Sequence, residues 1–139
     1  MVPDINGWGV LVAAVSTLVV GSIWYTPKVF GTYWMRTAKI DPEGGARSAL
    51  WPIAVTFLVS LVSAWVLAGS AVIAQGFYGG SFLGNSVVTA LILWAGFTAS
   101  RFITHDAFEG RPVGLTVLNC AHELVTFVVM AVVIGLFGT

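Results

Sequence analysis

Residues 49–74 read ALWPIAVTFLVSLVSAWVLAGSAVIA, a stretch without any charged residue. Because about 20 apolar residues cross a hydrocarbon layer of roughly 30 Å as an α-helix, this stretch predicts a membrane-spanning helix, with Pro52 tolerated in its first turn. Three further stretches have a similar length and composition, at about 7–26, 86–108 and 113–137. The sequence therefore predicts an all-α, polytopic integral membrane protein, with four transmembrane helices in a single domain over residues 1–139.

The composition is that of a membrane protein. The chain of 139 residues is 58% hydrophobic and 9% charged, whereas about 25% of the residues of a soluble domain are charged. Six basic and six acidic residues cancel, so no basic field is available for a phosphate backbone, and we expect no nucleic acid among its partners. The single cysteine, Cys120, lies in an apolar run and cannot form an internal disulfide.

Lysine and arginine are concentrated in two of the connections between the predicted helices. The positive residues of these two connections are Lys28, Arg36, Lys39, Arg47 and Arg111. Positively charged loops remain preferentially in the cytoplasm. We therefore expect loops 27–48 and 109–112 in the cytoplasm and both termini outside. Residues 1–8 lack the basic segment of a signal peptide, so we expect the first helix to be retained.

The first predicted helix ends in a segment rich in aromatic and basic residues, GSIWYTPKVFGTYWMR at 21–36. Such residues concentrate at membrane interfaces, so the segment predicts a short amphipathic stretch along the lipid headgroups. The expected interfacial anchors are Tyr25, Lys28, Phe30, Tyr33, Trp34 and Arg36. Trp24 differs from them, because helical spacing places it on one face with Thr17 and Gly21, and it is therefore a candidate wall of a pocket.

The spacing G-x-x-W-Y-T-P-x-x-F-G-x-x-W, from Gly21 to Trp34, resembles the N-terminal signature of a bacterial family of small four-span membrane proteins. That family is catalogued as domain of unknown function seventeen sixty-one. Trp94, Phe97 and Asn119 also stand where such proteins carry comparable residues, so the resemblance covers nearly the whole chain. It implies a four-span protein of the bacterial cytoplasmic (inner) membrane and no particular activity.

Polar residues inside the third and fourth predicted helices mark a candidate site. A charge at the centre of a membrane helix costs about 2.5 to 3.5 kcal/mol on insertion scales, so such residues are paired or functional. Arg101 and Glu123 lie at similar distances from the turn at Arg111, and we predict an ion pair between them. The expected pocket residues are Trp24, Trp94, Thr98, Arg101, His105, Asn119, His122 and Glu123, with Thr126 on the helix face of the last three.

Three functional explanations remain open at this point. In the first, Glu123 pairs with Arg101 or His122 and lines a cytoplasm-facing pocket that binds or conducts a small solute, ion or proton. In the second, Arg101 extends to the headgroups, the other polar groups join helices by hydrogen bonds, and the protein is a structural or accessory subunit. A membrane enzyme is the third. The sequence has no nucleophile beside a base and no complete metal spacing, so we expect no catalytic residue, metal or cofactor.

The remaining expectations concern packing and partners. Small residues at intervals of four predict close helix packing, and in the second helix they are Ser60, Ala64 and Ala68. We expect His105, Asp106 and Glu109 to form a solvated cluster near the third connection. Four helices leave most of their faces to lipid, so the expected partners are membrane lipid and further copies of the chain in a homo-oligomer.

Overall fold

The four predicted membrane-spanning helices are present in the computed structural model, which describes residues 3–40 and 45–139 except for the side chains of 45–48. Four helical stretches are long and apolar enough to cross a membrane, and the described residues contain no strand. The elements are α1 (Gly7–Trp24), α2 (Gly31–Ala38), α3 (Gly45–Tyr78), α4 (Phe82–Leu93), a π-helical segment (Trp94–Ala99), α5 (Ser100–Glu109) and α6 (Val113–Phe137). The fold class was thus predicted correctly.

Helix α1 begins and ends where local chemistry requires it. The side chain of Asn6 accepts hydrogen bonds from the backbone N–H groups of Trp8 at 3.1 Å and Gly9 at 3.2 Å, which satisfies two of the free donors of the first turn. The helix ends at Trp24, two residues earlier than predicted. Pro27 accounts for this end, because it has no N–H group and it disfavours helical geometry in the residue before it.

The first connection contains more helix than predicted. Helix α2 occupies Gly31–Ala38, in agreement with the short amphipathic segment, and α3 begins at Gly45. Pro52 consequently lies in the second turn of α3 rather than the first. Residues 41–44 of the predicted loop, and the side chain of Arg47, lie outside the described residues.

The connection between α3 and α4 is tighter than predicted. Helix α3 continues to Tyr78 instead of residue 74 and stops at Gly79, which has a φ of +68° that favours glycine. Helix α4 starts at Phe82 instead of residue 86, because the hydroxyl of Ser81 accepts from the N–H of Gly84 at 3.3 Å. One N-cap side chain therefore moves the start of the third span by about one turn.

The helices form a four-helix bundle. Neighbours around it are α1, α3, α4 and α6 in that order, and α6 closes the bundle by packing against α1. The first and third connections lie at the same end, where α2 packs against the start of α6. Which side of a membrane this end faces stays a prediction, as does a homo-oligomer. The predicted small residues of α3 are buried, and close approach of the helices follows. The core cluster consists of Val10, Ala13, Ala14, Ala64, Leu67, Ala68, Ala90, Met130, Ala131 and Ile134.

The third span is interrupted by the π-helical segment Trp94–Ala99. A π-helix closes its hydrogen bonds over five residues rather than four, so one turn holds an additional residue. Since one residue corresponds to about 100° of an α-helix, side chains after the segment no longer continue the face of those before it. The segment is held to the bundle by Trp94, whose indole N–H donates to the carbonyl of Cys120 at 3.0 Å.

Candidate functional site

Helices α1 and α6 run antiparallel and bring polar side chains together at the end of α1. A Cβ atom added at Gly21 would lie 3.7 Å from Nε2 of His122, so the two helices approach closely at this level. One turn nearer the first connection, the hydroxyl of Tyr25 donates to Oδ1 of Asn119 at 3.3 Å. Thr126 lies one helical turn beyond His122, toward the centre of the bundle, and is 5% exposed.

His122 is enclosed by an acid and two aromatic rings. Its Nδ1 lies 3.3 Å from Oε1 of Glu123. The ring centroids of Trp24 and Tyr25 lie 5.8 Å and 4.9 Å from that of the imidazole. When the imidazole is neutral, a proton on Nδ1 that is donated to Glu123 leaves Nε2 as a hydrogen-bond acceptor.

Three buried polar atoms in this region have no hydrogen-bond partner among the described residues: Nε1 of Trp24, Nε2 of His122 and Oγ1 of Thr126. An indole N–H donates only, a neutral imidazole nitrogen accepts, and a hydroxyl does both. A buried polar atom without a partner costs about 1 to 3 kcal/mol. Below, the polar column denotes Trp24, Tyr25, Asn119, His122, Glu123 and Thr126.

The polar column ends near the middle of the bundle. Thr17, which the antiparallel packing places at about the level of Thr126, donates to or accepts from the hydroxyl of Ser60 at 2.8 Å. Beyond this level the interface is apolar and closed, because Ala13 and Ala131 are completely buried. The column therefore has polar groups toward one end of the bundle and a tightly packed apolar seal toward the other.

Two aromatic rings from the first connection, which we call the aromatic cover, lie over the outer end of the polar column. Phe30 packs against Trp24 with 4.7 Å between ring centroids, and Trp34 packs against Tyr25 with 4.9 Å, each pair with tilted ring planes. The cover is fixed by Gly31, where an added Cβ would overlap the carbonyl oxygen of Tyr25. Burial, and next the charge of Glu123, raise the pKa of Tyr25 to about 12, so its phenol stays protonated.

The predicted anchors divide into two groups. Phe30, Trp34 and Tyr25 contact the polar column or one another, and the hydroxyl of Tyr33 lies against Gly114 at the start of α6. The two basic anchors are exposed, namely Lys28 and Arg36. Contact of any of these residues with lipid stays a prediction.

The predicted ion pair between Arg101 and Glu123 is wrong. Arg101 is exposed, and among the described residues the basic group within 4 Å of Glu123 is His122. The prediction assumed an uninterrupted α-helix from Trp94 to Arg101. The additional residue in the π-helical segment turns α5 by about 100° relative to α4, and Arg101 leaves the face that Trp94 occupies.

The predicted pocket is therefore divided in the structure. Trp24, Asn119, His122 and Glu123 come together in the polar column, whereas Arg101 and His105 do not reach it. Trp94 contacts the backbone of Cys120, beside Asn119, and Thr98 lies half-buried in the π-helical segment. Arg101 and His105 line a separate depression of about 280 Å³, which we call the charged depression; its lining is Arg101, Phe102, His105, Asp106, Glu109 and Arg111.

The expected solvated cluster near the third connection was correct only in part. His105 and Glu109 are exposed, but Asp106 is 6% exposed. Its Oδ2 accepts from the hydroxyl of Thr116 at 2.6 Å, and its Oδ1 lies 3.7 Å from Nε of Arg111. Asp106 thus ties α5 to α6. Within the described ranges, no group of three or more His, Cys, Asp or Glu residues is placed to hold a metal ion.

Sequence reasoning assigned Tyr25 to the membrane interface and not to the pocket. No local signal distinguishes the two, because an aromatic ring beside a proline-containing turn suits either position. For Thr126 the sequence does indicate a place in the pocket, since it follows His122 by four residues and helical spacing places both on one face. Its missing hydrogen-bond partner becomes visible only when α1 is packed against α6.

Neither a curated protein nor a solved structure matches the chain. The family described as "Protein of unknown function (DUF1761)" matches residues 8–135. This range runs from the first turn of α1 almost to the end of α6, and it includes the polar column, the aromatic cover and the charged depression. The resemblance carried by residues 21–34 was therefore correct, and the chain belongs to this family.

Proposed function

We propose that the protein binds a small hydrogen-bonding solute in the polar column. The observation that carries the proposal is the set of three buried polar atoms without a partner among the described residues, on Trp24, His122 and Thr126. They offer one donor, one acceptor and one group that is both. A solute with a donor and an acceptor of its own would satisfy them, and its binding would recover part of their desolvation cost.

The charge of the polar column favours a neutral or cationic solute over an anion. Glu123 supplies a negative charge, and the guanidinium of Arg101 is not there to neutralise it. The rings of Trp24 and Tyr25 border the same region, and aromatic rings attract cations that lie over their faces. Alcohols, amides and small ammonium ions that carry a hydroxyl group therefore fit this surrounding better than carboxylates or phosphates.

The seal at the centre of the bundle supports binding from one end rather than free conduction. A solute would reach the polar column past the aromatic cover, from the end that carries Lys28 and Arg36, which we expect to face the cytoplasm. Passage to the opposite end requires the helices to separate at Ala13 and Ala131, which are completely buried. Transport by this chain would therefore need a conformational change and not only diffusion.

A thermal-shift series in detergent tests the proposal. Ethanolamine and acetamide would be compared with acetate and phosphate on the wild type, Thr126→Val and Glu123→Gln. We expect at least one of the first two solutes to raise the wild-type Tm in a concentration-dependent manner. Thr126→Val should lose that shift for either solute, and Glu123→Gln should lose it for the cationic ethanolamine. The matched control is Thr104→Val, whose exposed hydroxyl donates to the carbonyl of Ser100 in α5.

A structural or accessory role gives a different pattern in the same experiment. Glu123→Gln then lowers the Tm by weakening the contact with His122, while no solute shifts the Tm of any form. Proteoliposomes with the wild type and Glu123→Gln extend the test to flux. Equal flux in both, at the level of protein-free vesicles, excludes transport through the polar column.

A further inference from the structure

The hairpin of α5 and α6 extends beyond the end of α1. Tyr25, which directly follows α1, is bonded to Asn119, and Asn119 lies six residues after Val113, the first residue of α6. About 9 Å of α6 therefore lies beyond the end of α1. The third span has 28 residues from Phe82 to Glu109, or about 42 Å, which exceeds a hydrocarbon layer of about 30 Å by roughly 12 Å. The last turns of α5 thus belong at the depth of the lipid headgroups.

Three ionisable residues follow one face of α5 through these turns. Arg101, His105 and Glu109 are spaced four residues apart and all are exposed. Within 4 Å, neither Arg101 nor His105 has a charged partner among the described residues, whereas Glu109 accepts from Nε of Arg111 at 2.6 Å. The order along the face, from the hydrocarbon outward, is guanidinium, imidazole, carboxylate.

The charged depression is consequently dipolar. Its outer part holds Asp106, Glu109 and Arg111, whose formal charges leave one net negative charge, and its inner part holds the positive charge of Arg101. With a neutral His105 the whole depression has no net charge. Such a surface suits a ligand that has one charge of each sign.

We propose that the charged depression binds the headgroup of a zwitterionic aminophospholipid, of which phosphatidylethanolamine is the simplest case. The phosphate would lie on Arg101 and His105, near the hydrocarbon boundary, and the ammonium would lie on the carboxylate of Glu109 farther out. A primary ammonium donates hydrogen bonds to a carboxylate, which the trimethylated ammonium of a choline headgroup does not do. An anionic headgroup has no ammonium of its own to pair with the carboxylate of Glu109.

An apolar side chain beside the charged depression favours a lipid over a soluble phosphate compound. Phe97, about one turn before Arg101 on the hydrocarbon side, is 69% exposed. The acyl chains of a lipid whose phosphate lies on Arg101 would run past this ring, whereas a free phosphoethanolamine has no chain to contact it. This proposal stands independently of solute binding in the polar column.

Native mass spectrometry of the delipidated protein tests the proposal. Phosphatidylethanolamine, phosphatidylglycerol and phosphatidylcholine with identical acyl chains would be titrated onto the wild type, Arg101→Gln and Glu109→Gln. We expect phosphatidylethanolamine to bind most tightly to the wild type. Arg101→Gln should weaken all three lipids by about tenfold, and Glu109→Gln should weaken phosphatidylethanolamine alone, because charge-assisted hydrogen bonds are worth about that much.

The control variant is Lys39→Gln, which removes an exposed positive charge that is neither in the charged depression nor among the predicted anchors, and its lipid preferences should equal those of the wild type. Circular dichroism verifies that each variant is folded. Tighter binding of phosphatidylglycerol than phosphatidylethanolamine would overturn the proposal, as would an unchanged preference in Glu109→Gln. Soluble phosphoethanolamine would also be added as a competitor of the bound lipid. If it displaces the lipid at equal concentration, the site binds a free phosphate compound and the proposal of a lipid site is refuted.

Discussion

Two threonines at the same level of the bundle, on facing helices, should respond to the same substitution in opposite ways. The hydroxyl of Thr17 lies 2.8 Å from the hydroxyl of Ser60 on α3 and donates to the carbonyl of Ala14 at 2.8 Å. Thr17→Val removes the link between α1 and α3 and leaves Ser60 without this partner. Side-chain hydrogen bonds between membrane helices average about 0.6 kcal/mol and reach about 1.7, so we expect a loss of that size.

Thr126→Val has no such loss, because Oγ1 of Thr126 has no partner among the described residues. Valine has nearly the same shape as threonine, so packing at this buried position is preserved. Removal of a buried polar atom without a partner recovers up to about 1 to 3 kcal/mol. We therefore expect the free energy of unfolding to stay equal or rise, and the solute-dependent shift in Tm to disappear.

The measurement is the free energy of unfolding of both variants in mixed micelles of SDS and a mild detergent, without added solute. Both threonines are equally buried, at 5% exposure. A difference in burial therefore cannot explain why one substitution lowers the free energy of unfolding and the other does not. If Thr126→Val destabilises the protein as much as Thr17→Val, the hydroxyl of Thr126 has a partner in the folded protein. The reasoning about the polar column is then refuted.

Three further substitutions have expected outcomes. Gly31→Ala should lower the free energy of unfolding by about 1 to 3 kcal/mol, because its Cβ would overlap the carbonyl oxygen of Tyr25. Thermal unfolding tests this, with Gly7→Ala as the control, since an added Cβ at Gly7 meets nothing within 4 Å. Trp94→Phe should lower the free energy of unfolding by about 0.5 to 1.5 kcal/mol, because the hydrogen bond to the carbonyl of Cys120 is lost. An unchanged unfolding midpoint would contradict this, and Trp65→Phe, at an exposed position, is the control. Asp106→Ala should cost about 1.5 to 3 kcal/mol, since Thr116 loses its charged acceptor and Arg111 loses a nearby carboxylate. The exposed Asp4→Ala should show no such loss in the same unfolding experiment.

The number and approximate position of the membrane helices could be predicted because an apolar run of sufficient length is a local property of the sequence. The helix ends were predicted less well, since single side chains determine them. Ser81 starts α4 four residues before the predicted start, and Gly79, with its positive φ, ends α3 at Tyr78, four residues after the predicted end. Neither effect changes the hydropathy of the segment, so hydropathy does not report it.

The candidate site was predicted in part for a related reason. Glu123 and His122 stand out because ionisable residues are rare in apolar helices. The helix face on which Arg101 lies was predicted from the periodicity of a regular α-helix. That periodicity does not hold across the π turn of the third span. Aromatic composition likewise does not tell a ring that packs on protein, such as Trp34 on Tyr25, from one that lies among lipid headgroups.

The π-helical turn at Trp94–Ala99 also bears on how sequences related to this one differ in length. Deleting one residue elsewhere in a bundle helix rotates every later side chain out of its contacts. Deleting one here converts the π turn to an α turn, so the gap is absorbed within the turn and the flanking helices keep their ends. Single-residue gaps in the third span of relatives should therefore fall between Leu93 and Ser100, and in a relative with such a gap the counterpart of Arg101 would keep the exposed position that Arg101 has here.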